Sequence, residues 1–250
     1  LYHNAGFGMM MSAFGVGAHM VILPRFDPEA TLAAVERHRA TWIYLVPTMM
    51  NRIWHLPEAT RARYDLSSLE TLWHLAAPCP PWLKEAFIHW LGGEVIMELY
   101  AGTEAQAATT ISGTEWLTHR GSVGRVTFGE MKAFDEAGNP LPAGQTGEIY
   151  MRRPPGAPPS YRYLGAEART LPDGWESLGD VGWLDEEGYV YLADRRTDMI
   201  LVGGSNVYPA EIEAALEAHP AVQSCAVIGL PDDDMGNVVH AIVQVKGPCD

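Results

Sequence analysis

Positive charge is scarce in this chain: 17 Lys and Arg stand against 31 Asp and Glu, a formal net charge of −14. A nucleic-acid partner requires a basic face to neutralise phosphates, so the balance argues against that class and leaves open a local basic site for a small phosphate ligand. Cysteine is nearly lacking too. Cys79, Cys225 and Cys249 are odd in number and far apart, which makes neither a disulfide framework nor a zinc pattern and points to a reducing, cytoplasmic compartment. The nine histidines have no ligand-like spacing, so no structural metal site is expected. From Ala5 to Pro24 the only titratable group is His19, and such a run is long enough to span a bilayer. It also holds Gly6, Gly8, Gly15, Gly17 and Ser12, and no Lys or Arg precedes it. It is therefore read as a buried helix and strand of an α/β core, with no integral membrane span.

What is present is enough for one large core or two smaller ones: 250 residues, 47% hydrophobic and 19% charged. The chain starts at Leu1 rather than Met, and Pro248-Cys249-Asp250 follow a strand-like run, so it is read as a piece of a longer protein. Asp27-Pro28-Glu29 starts a helix that runs to about Arg39 with Leu32 and Val35 on its apolar stripe. Trp42 to Val46 is a short apolar run that fits a buried parallel strand, stopped by Pro47. Leu72 to Ala76 and Glu94 to Tyr100 are two more strands, separated by a helix from Pro81 through Trp90 that Gly92-Gly93 can end. Strands alternating with helices indicate a mostly parallel α/β sheet, in which ligands sit beyond the carboxyl ends of the strands. From about Gly121 short β-like runs alternate with Gly-rich turns, at Asp135 to Asn139, Ala143-Gly144, Asp173-Gly174 and Asp185 to Gly188. That texture predicts an antiparallel, barrel-like subdomain with a stiff surface loop at Pro154 to Pro159. After Asp194 come a strand from Met199 to Val202, a helix from Pro209 to Glu217, and strands from Val222 to Gly229 and Val238 to Val245.

Polar segments recur after these β-like runs: Tyr100-Ala-Gly-Thr103-Glu104, Gly179-Asp180, Asp194-Arg195, and Gly203-Gly204 leading through Tyr208 and Pro209 to Glu213. Singly they are ordinary. Thr103-Glu104 is a loop pair, Gly179-Asp180 a turn, Arg195-Arg196 a solvated pair, Tyr100 a strand-end aromatic, and Gly203-Gly204 a hairpin turn or anion nest. In this order the chain resembles the adenylate-forming (AMP-binding) enzymes: acyl-CoA synthetases, firefly luciferases and peptide-synthetase adenylation domains. The family's Tyr-Gly-x-Thr-Glu loop matches Tyr100 to Glu104 with Ala101 in place of Gly. Its Gly-Asp pair matches Gly179-Asp180, with Leu178 where Thr is more usual. Its hinge motif matches Asp194 to Asp198, with Asp194 in place of Gly and Thr197 at the pivot.

The resemblance implies a fold, a ligand set and roles. Residues 1–120 would be the α/β part of the AMP-binding large domain and 121–193 the barrel-like subdomain. A hinge would follow at 194–198, then a truncated α+β C-terminal lid domain at 199–250. The ligands implied are ATP, Mg²⁺, coenzyme A and a small carboxylic acid; a homodimer stays open. Tyr100 offers a ring face to adenine and the Ala76-Ala77-Pro78 loop lies on the other face. Thr103 offers a hydroxyl to the α-phosphate, and Glu104 a carboxylate oxygen to Mg²⁺. Asp180 accepts from both ribose hydroxyls, and Arg195 donates to ribose or phosphate. Gly203 and Gly204 would flank the pantetheine tunnel once the lid has turned about Thr197.

The substrate is read from a further lack. Residues 1 to 26 contain no Asp or Glu, whereas amino-acid-activating relatives hold the substrate ammonium with an acid in this region, so a plain carboxylic acid is expected. Leu1-Tyr2-His3 resembles the segment of acyl-CoA synthetases whose His sits near the acyl and thiol channels, which makes His3 a candidate catalytic residue beside Thr103 and Glu104. Phe7, Met9, Met10, Met11 and Phe14 suit an apolar acyl pocket. Leu75 to Pro80, Thr118 to Gly124 and Ser177 to Asp180 resemble ligases of bile-acid and long-chain fatty-acid type. The family's phosphate-cradling loop lies upstream of Leu1 and its C-terminal Lys beyond Asp250, so this piece alone is expected to be inactive. Rival readings are an adenylation domain serving a carrier protein, a luciferase-like enzyme, and a non-enzymatic nucleotide-binding protein.

Overall fold

The computed structural model describes residues 4–165, 167–195, 199–202, 205–232 and 235–246, with the backbone alone for Asn4, Asp194 and Arg195. The chain divides into two compact units, Leu1–Ala105 with Thr109–Arg120, and Gln106–Ala108 with Gly121–Asp250.

The first unit contains α1 (Asn4–Gly15), α2 (Pro28–His38), β1 (Trp42–Leu45), α3 (Pro47–Trp54), α4 (Glu58–Arg61), β2 (Thr71–His74), α5 (Pro81–Leu91), β3 (Ile96–Ala101), β4 (Ala108–Ser112) and α6 (Gly113–Thr118). The strands lie in the order β1-β2-β3-β4. β1 pairs β2 in parallel and β2 pairs β3 in parallel, with His74 in register with Glu98. The helix starts follow from local chemistry. Asp27 caps α2 by accepting the Ala30 N–H at 2.8 Å, and Pro28 fills the first turn, where its missing N–H costs nothing. Pro47 ends β1 and opens α3. Ser112 and Glu115 form a reciprocal capping box at α6. Leu32, Val35, Ile53 and Phe87 from three helices converge with Leu45 and Leu72 of the sheet around one small, closely packed apolar gap.

The stretch from Ala5 to Pro24 departs from expectation. Its first part is helical, but residues 18–24 form no strand, and its apolar side chains are largely exposed, Val16 at 82% and Ile22 at 59%. β1, the nearest strand in the chain, is the end strand of its sheet, so this run joins no ladder that would make a strand of it. Among the described residues no helix is long and apolar enough to cross a membrane.

The second unit contains β5 (Ser122–Phe128), β6 (Glu130–Phe134), β7 (Gly147–Arg152), β8 (Arg169–Leu171), β9 (Trp175–Leu184), β10 (Tyr189–Arg195), β11 (Ile200–Val202), β12 (Ser205–Val207), α7 (Pro209–Glu217), β13 (Val222–Asp232) and β14 (Gly236–Val245). Strands run in the order β5-β10-β9-β7-β6, with β8 also on β9. The β10–β5, β10–β9, β7–β9, β6–β7 and β8–β9 pairings are all antiparallel. Two reversals use one device: Asp135 accepts the Asn139 N–H at 2.8 Å, and Asp185 accepts the Tyr189 N–H at 2.9 Å. Each carboxylate thereby satisfies a backbone donor that the reversal exposes. Phe134, Tyr150 and Trp175 form the aromatic core, with ring centroids 5.2 and 5.3 Å from Phe134. Farther along, β11 and β12 make one antiparallel pair and β13 and β14 another. Glu213 of α7 ties to β13 by accepting the Val227 N–H at 2.8 Å.

Leu72 is 2% exposed, at the centre of the first core. Leu72→Ala should destabilise the first unit by about 3 kcal/mol, through lost transfer energy and a residual cavity. Urea unfolding followed by tryptophan fluorescence reads this directly, and a change below about 1 kcal/mol would place the core elsewhere.

Candidate functional site

In the first unit, parallel pairing brings the carboxyl ends of β2 and β3 to one edge of the sheet. The loop after β2 carries Ala76, Ala77 and Pro78, all exposed. Ala76 has φ +77°, an unusual conformation for a residue with a Cβ. The loop after β3 begins at the half-buried Tyr100, near the strand end. The Ala105 N–H donates to the Gly102 carbonyl at 3.1 Å, and Ala105 has φ +53°. This tight turn leaves Thr103 exposed and Glu104 partly so. Two strained loops, one with a hydroxyl and a carboxylate, thus sit side by side at the edge where α/β sheets hold ligands.

Beneath them lies a buried cluster that the sequence does not advertise. His74 at the end of β2, Lys84 one turn into α5 and Glu98 in β3 are 0%, 1% and 8% exposed. Lys84 forms an ion pair with Glu98, and its ammonium lies 4.9 Å from the centroid of the Trp116 ring. His74 Nε2 is 4.0 Å from Glu98 Oε2, and neither ring nitrogen has a hydrogen-bond partner. Burial pushes the His74 pKa down to about 4; Glu98 opposes that shift and Lys84 adds to it. His74 and Lys84 bracket the Ala76–Pro78 loop in sequence, and Glu98 precedes Tyr100 by two residues. The signal for the cluster was a Lys in the mostly apolar stretch Pro81 to Leu91 and a Glu within the apolar run Val95 to Tyr100, and only the fold shows that they meet.

In the second unit, Asp180 and Arg195 are register partners across the β9–β10 pair. Asp180 is 9% exposed. It lies in an irregular part of β9: Glu148 pairs with Val181 and Tyr150 with Ser177, so Ile149 alone faces Leu178, Gly179 and Asp180. Such bulges re-aim side chains and are over-represented beside functional sites. The structure thus brings Tyr100, Thr103, Glu104 and the Ala76–Pro78 loop together in one unit, and pairs Asp180 with Arg195 in the other. His3, Thr197, Gly203 and Gly204 lie outside the described residues, as does the Arg195 side chain. Among the described residues no group of three His, Cys, Asp or Glu side chains is arranged as a metal cage. A magnesium ion carried in on phosphates needs only one or two protein carboxylates, and the accessible carboxylate of Glu104 fits that use.

The pattern of the AMP-binding enzyme family matches residues 1–161, and that of the AMP-binding enzyme C-terminal domain matches residues 211–250. The chain belongs to the AMP-binding enzymes. It is 37% identical over 246 residues to a feruloyl-CoA synthase of Amycolatopsis sp, covering 97% of this chain and 49% of that protein. It is 34% identical to a long-chain-fatty-acid–CoA ligase of Bacillus subtilis, covering 98% and 44%. Among solved structures, o-succinylbenzoate CoA synthetase from Bacillus subtilis with its acyl-adenylate intermediate superposes with a TM-score of 0.82 at 29% identity, over 100% of this chain and 50% of that one. The amide bond synthetase McbA from Marinactinospora thermotolerans gives 0.79 at 34% identity, over 93% and 47%. The chain spans about half the length of the curated relatives it matches, and its fold is the second half of the large adenylate-forming domain followed by the start of the small C-terminal one.

Two measurements test the buried cluster. Lys84→Met leaves Glu98 buried without its cation and should cost about 3–5 kcal/mol, whereas K84M/E98L should recover most of that loss. His74 binds its proton more weakly in the folded chain than in the unfolded one. Its contribution is therefore complete above about pH 6.5 and lost as pH falls toward 4, in total about 3 kcal/mol. Unfolding free energies at pH 7 and 4.5 should differ less in His74→Leu than in the parent, and equal slopes would dismiss this account of His74.

Proposed function

We propose that the protein containing this chain is an ATP-dependent acyl-CoA synthetase, activating a carboxylic acid as its acyl-adenylate and passing the acyl group to coenzyme A. The observation that carries the reading is the pairing of Asp180 with Arg195 at a bulge of β9, in a chain whose Thr103-Glu104 loop stands at the carboxyl edge of a parallel sheet. One half of that set suits a ribose, the other a phosphate with its cation.

Each group then has a task. The Tyr100 ring and the Ala76-Ala77-Pro78 loop take the two faces of adenine. Asp180 accepts from the ribose hydroxyls, and Arg195 donates to ribose or phosphate. The Thr103 hydroxyl donates to the α-phosphate, and Glu104 holds Mg²⁺, which neutralises charge building on the phosphate oxygens. A substrate carboxylate oxygen attacks the α-phosphorus, the bond to the bridging oxygen breaks, and pyrophosphate leaves. Residues 194–198 then serve as a hinge, with Thr197 at the pivot, and turn residues 199–250 so that Gly203 and Gly204 line the thiol's path. The thiol loses its proton and its sulfur attacks the acyl carbon, releasing AMP. His3 is assigned to the mouth of that path.

The acid is read as long-chain or otherwise bulky and apolar. Residues 1–26 offer no carboxylate to an amino acid's ammonium, and Phe7, Met9, Met10, Met11 and Phe14 of α1 supply adaptable apolar surface. Of the relatives, one is named for a long-chain fatty acid, which supports the reading, and others for ferulate and o-succinylbenzoate, which are aryl acids. The likeness to an amide bond synthetase favours a second reading, in which an amine replaces the thiol as acceptor. The cytoplasmic setting rests on cysteine usage alone, three cysteines spaced far apart along the sequence.

The test uses the full-length protein, Mg-ATP and a panel of acids, with hydroxamate formation reporting adenylation and thioester or amide formation reporting the acceptor. Apolar acids should turn over, and coenzyme A should outcompete simple amines. Asp180→Ala and Thr103→Val should each lower kcat/KM for ATP by roughly 10- to 1,000-fold. Nucleotide binding without hydroxamate from any acid would reduce the protein to a nucleotide-binding module.

A further inference from the structure

Asp180 is held by an irregular piece of backbone, and that piece has its own support. Between the Tyr150–Ser177 and Glu148–Val181 pairings, three residues of β9 face one residue of β7. Gly179 lies inside the bulge at φ +88°, a conformation that costs a residue with a Cβ about 1–2 kcal/mol. A bulge takes backbone groups out of the ladder, and a buried N–H must then find another acceptor. The Gly179 N–H finds one in the Ser177 hydroxyl, at 3.0 Å. The same hydroxyl donates to Glu148 Oε1 at 2.7 Å. The other oxygen of that carboxylate, Oε2, is 3.1 Å from Nη2 of Arg169, and the Arg169 Nε donates to the Tyr150 hydroxyl at 3.2 Å. Ser177 and Glu148 are 9% and 7% exposed, while the Arg169 side chain is half exposed. The result is a chain from guanidinium to carboxylate to hydroxyl to amide, ending one residue before Asp180.

We propose that Ser177 is a positioning residue for the ribose contact, its hydroxyl clamped by Glu148 and Arg169 so that the bulge presents Asp180 in one orientation. The reasoning is geometric. A serine hydroxyl has one proton to give and lone pairs to receive; here the proton goes to the carboxylate, which fixes the oxygen's free side toward Gly179. The anion–hydroxyl bond is charge-assisted, and the partner guanidinium holds the carboxylate in place. Alanine at 177 would leave the Gly179 amide and the Glu148 oxygen without this partner at once, freeing the bulge to relax into other registers. This inference rests on the reading that Asp180 takes the ribose diol.

The test compares ATP with 2′-deoxy-ATP in the full-length protein, using pyrophosphate release and the unfolding midpoint of each variant. If Asp180 grips the diol, the parent prefers ATP. Ser177→Ala should then lose roughly tenfold in kcat/KM for ATP and several-fold less with 2′-deoxy-ATP, which keeps only the 3′-hydroxyl contact, so the preference narrows. Ser177→Thr, which keeps the hydroxyl, should restore the preference, and Glu148→Gln should lower it in the same sense as Ser177→Ala. A Ser177→Ala protein that melts earlier yet keeps the full preference for ATP overturns the proposal and leaves Ser177 a purely structural residue. A parent enzyme that releases pyrophosphate equally well from both nucleotides removes the grip of Asp180 on the diol, and this proposal with it. A parent that releases none from either defeats the synthetase reading itself.

Discussion

Parallel pairing of three short strands is the constraint on which the first unit depends. A parallel strand cannot be reached by a hairpin, so the chain must be returned to the starting edge by helical crossovers after β1 and after β2. All three strands then end on the same side, and the segments after β2 and β3 become neighbours although more than twenty residues separate Ala76 from Tyr100. The same pairing sets His74 opposite Glu98, and the helix that follows the first loop lowers Lys84 onto that pair. Loop placement and buried charge are thus two results of one topology.

The second unit reaches its polar residues by the opposite route. Antiparallel strands closed by Asp-anchored turns need no crossovers, and a regular sheet of this kind offers only alternating side chains. What singles out Asp180 is the departure from regularity, two extra residues in β9 relative to β7. On the other side Asp180 pairs with Arg195 of β10, next to a second irregularity between Leu192 and Asp194. In the first unit polar residues are placed by where strands stop, and in the second by where a strand misfits its neighbour.

These origins explain what the sequence discloses and what it withholds. Helix starts at Asp27-Pro28, Pro81 and Pro209 are legible because caps and first-turn prolines act within a few residues. Pro47 is legible only by half: it ends β1 as expected, but the helix it opens was not read from the sequence. The Ser112–Glu115 capping box was a readable signal that went unused. Residues 18–24 have the apolar content of a strand, yet a strand exists only through a partner, and partners are not written locally. Tyr100 stands near the end of β3 and Thr103 and Glu104 in the turn after it, whereas Gly179-Asp180, which alone reads as a turn, lies at a bulge inside β9. The groups that support them were invisible for the same reason as the missing strand: Lys84 with Glu98, and Glu148 with Ser177, are contacts across elements, specified by register rather than by spacing.

Both supports spend buried polarity where apolar residues would serve stability as well or better. A Lys–Glu pair sealed under one loop, and an Arg–Glu–Ser chain under another, carry desolvation costs that leucine and methionine would avoid. Hydrophobic packing, however, is tolerant of small shifts, whereas hydrogen bonds to charged groups lose strength steeply with angle and distance. Groups that hold a ligand need to be fixed to within about half an ångström. On the proposed reading, the buried carboxylates of Glu98 and Glu148 therefore serve orientation first, and the stability they forgo is recovered in the apolar cores beside them, around Leu72 in one unit and around Phe134, Tyr150 and Trp175 in the other.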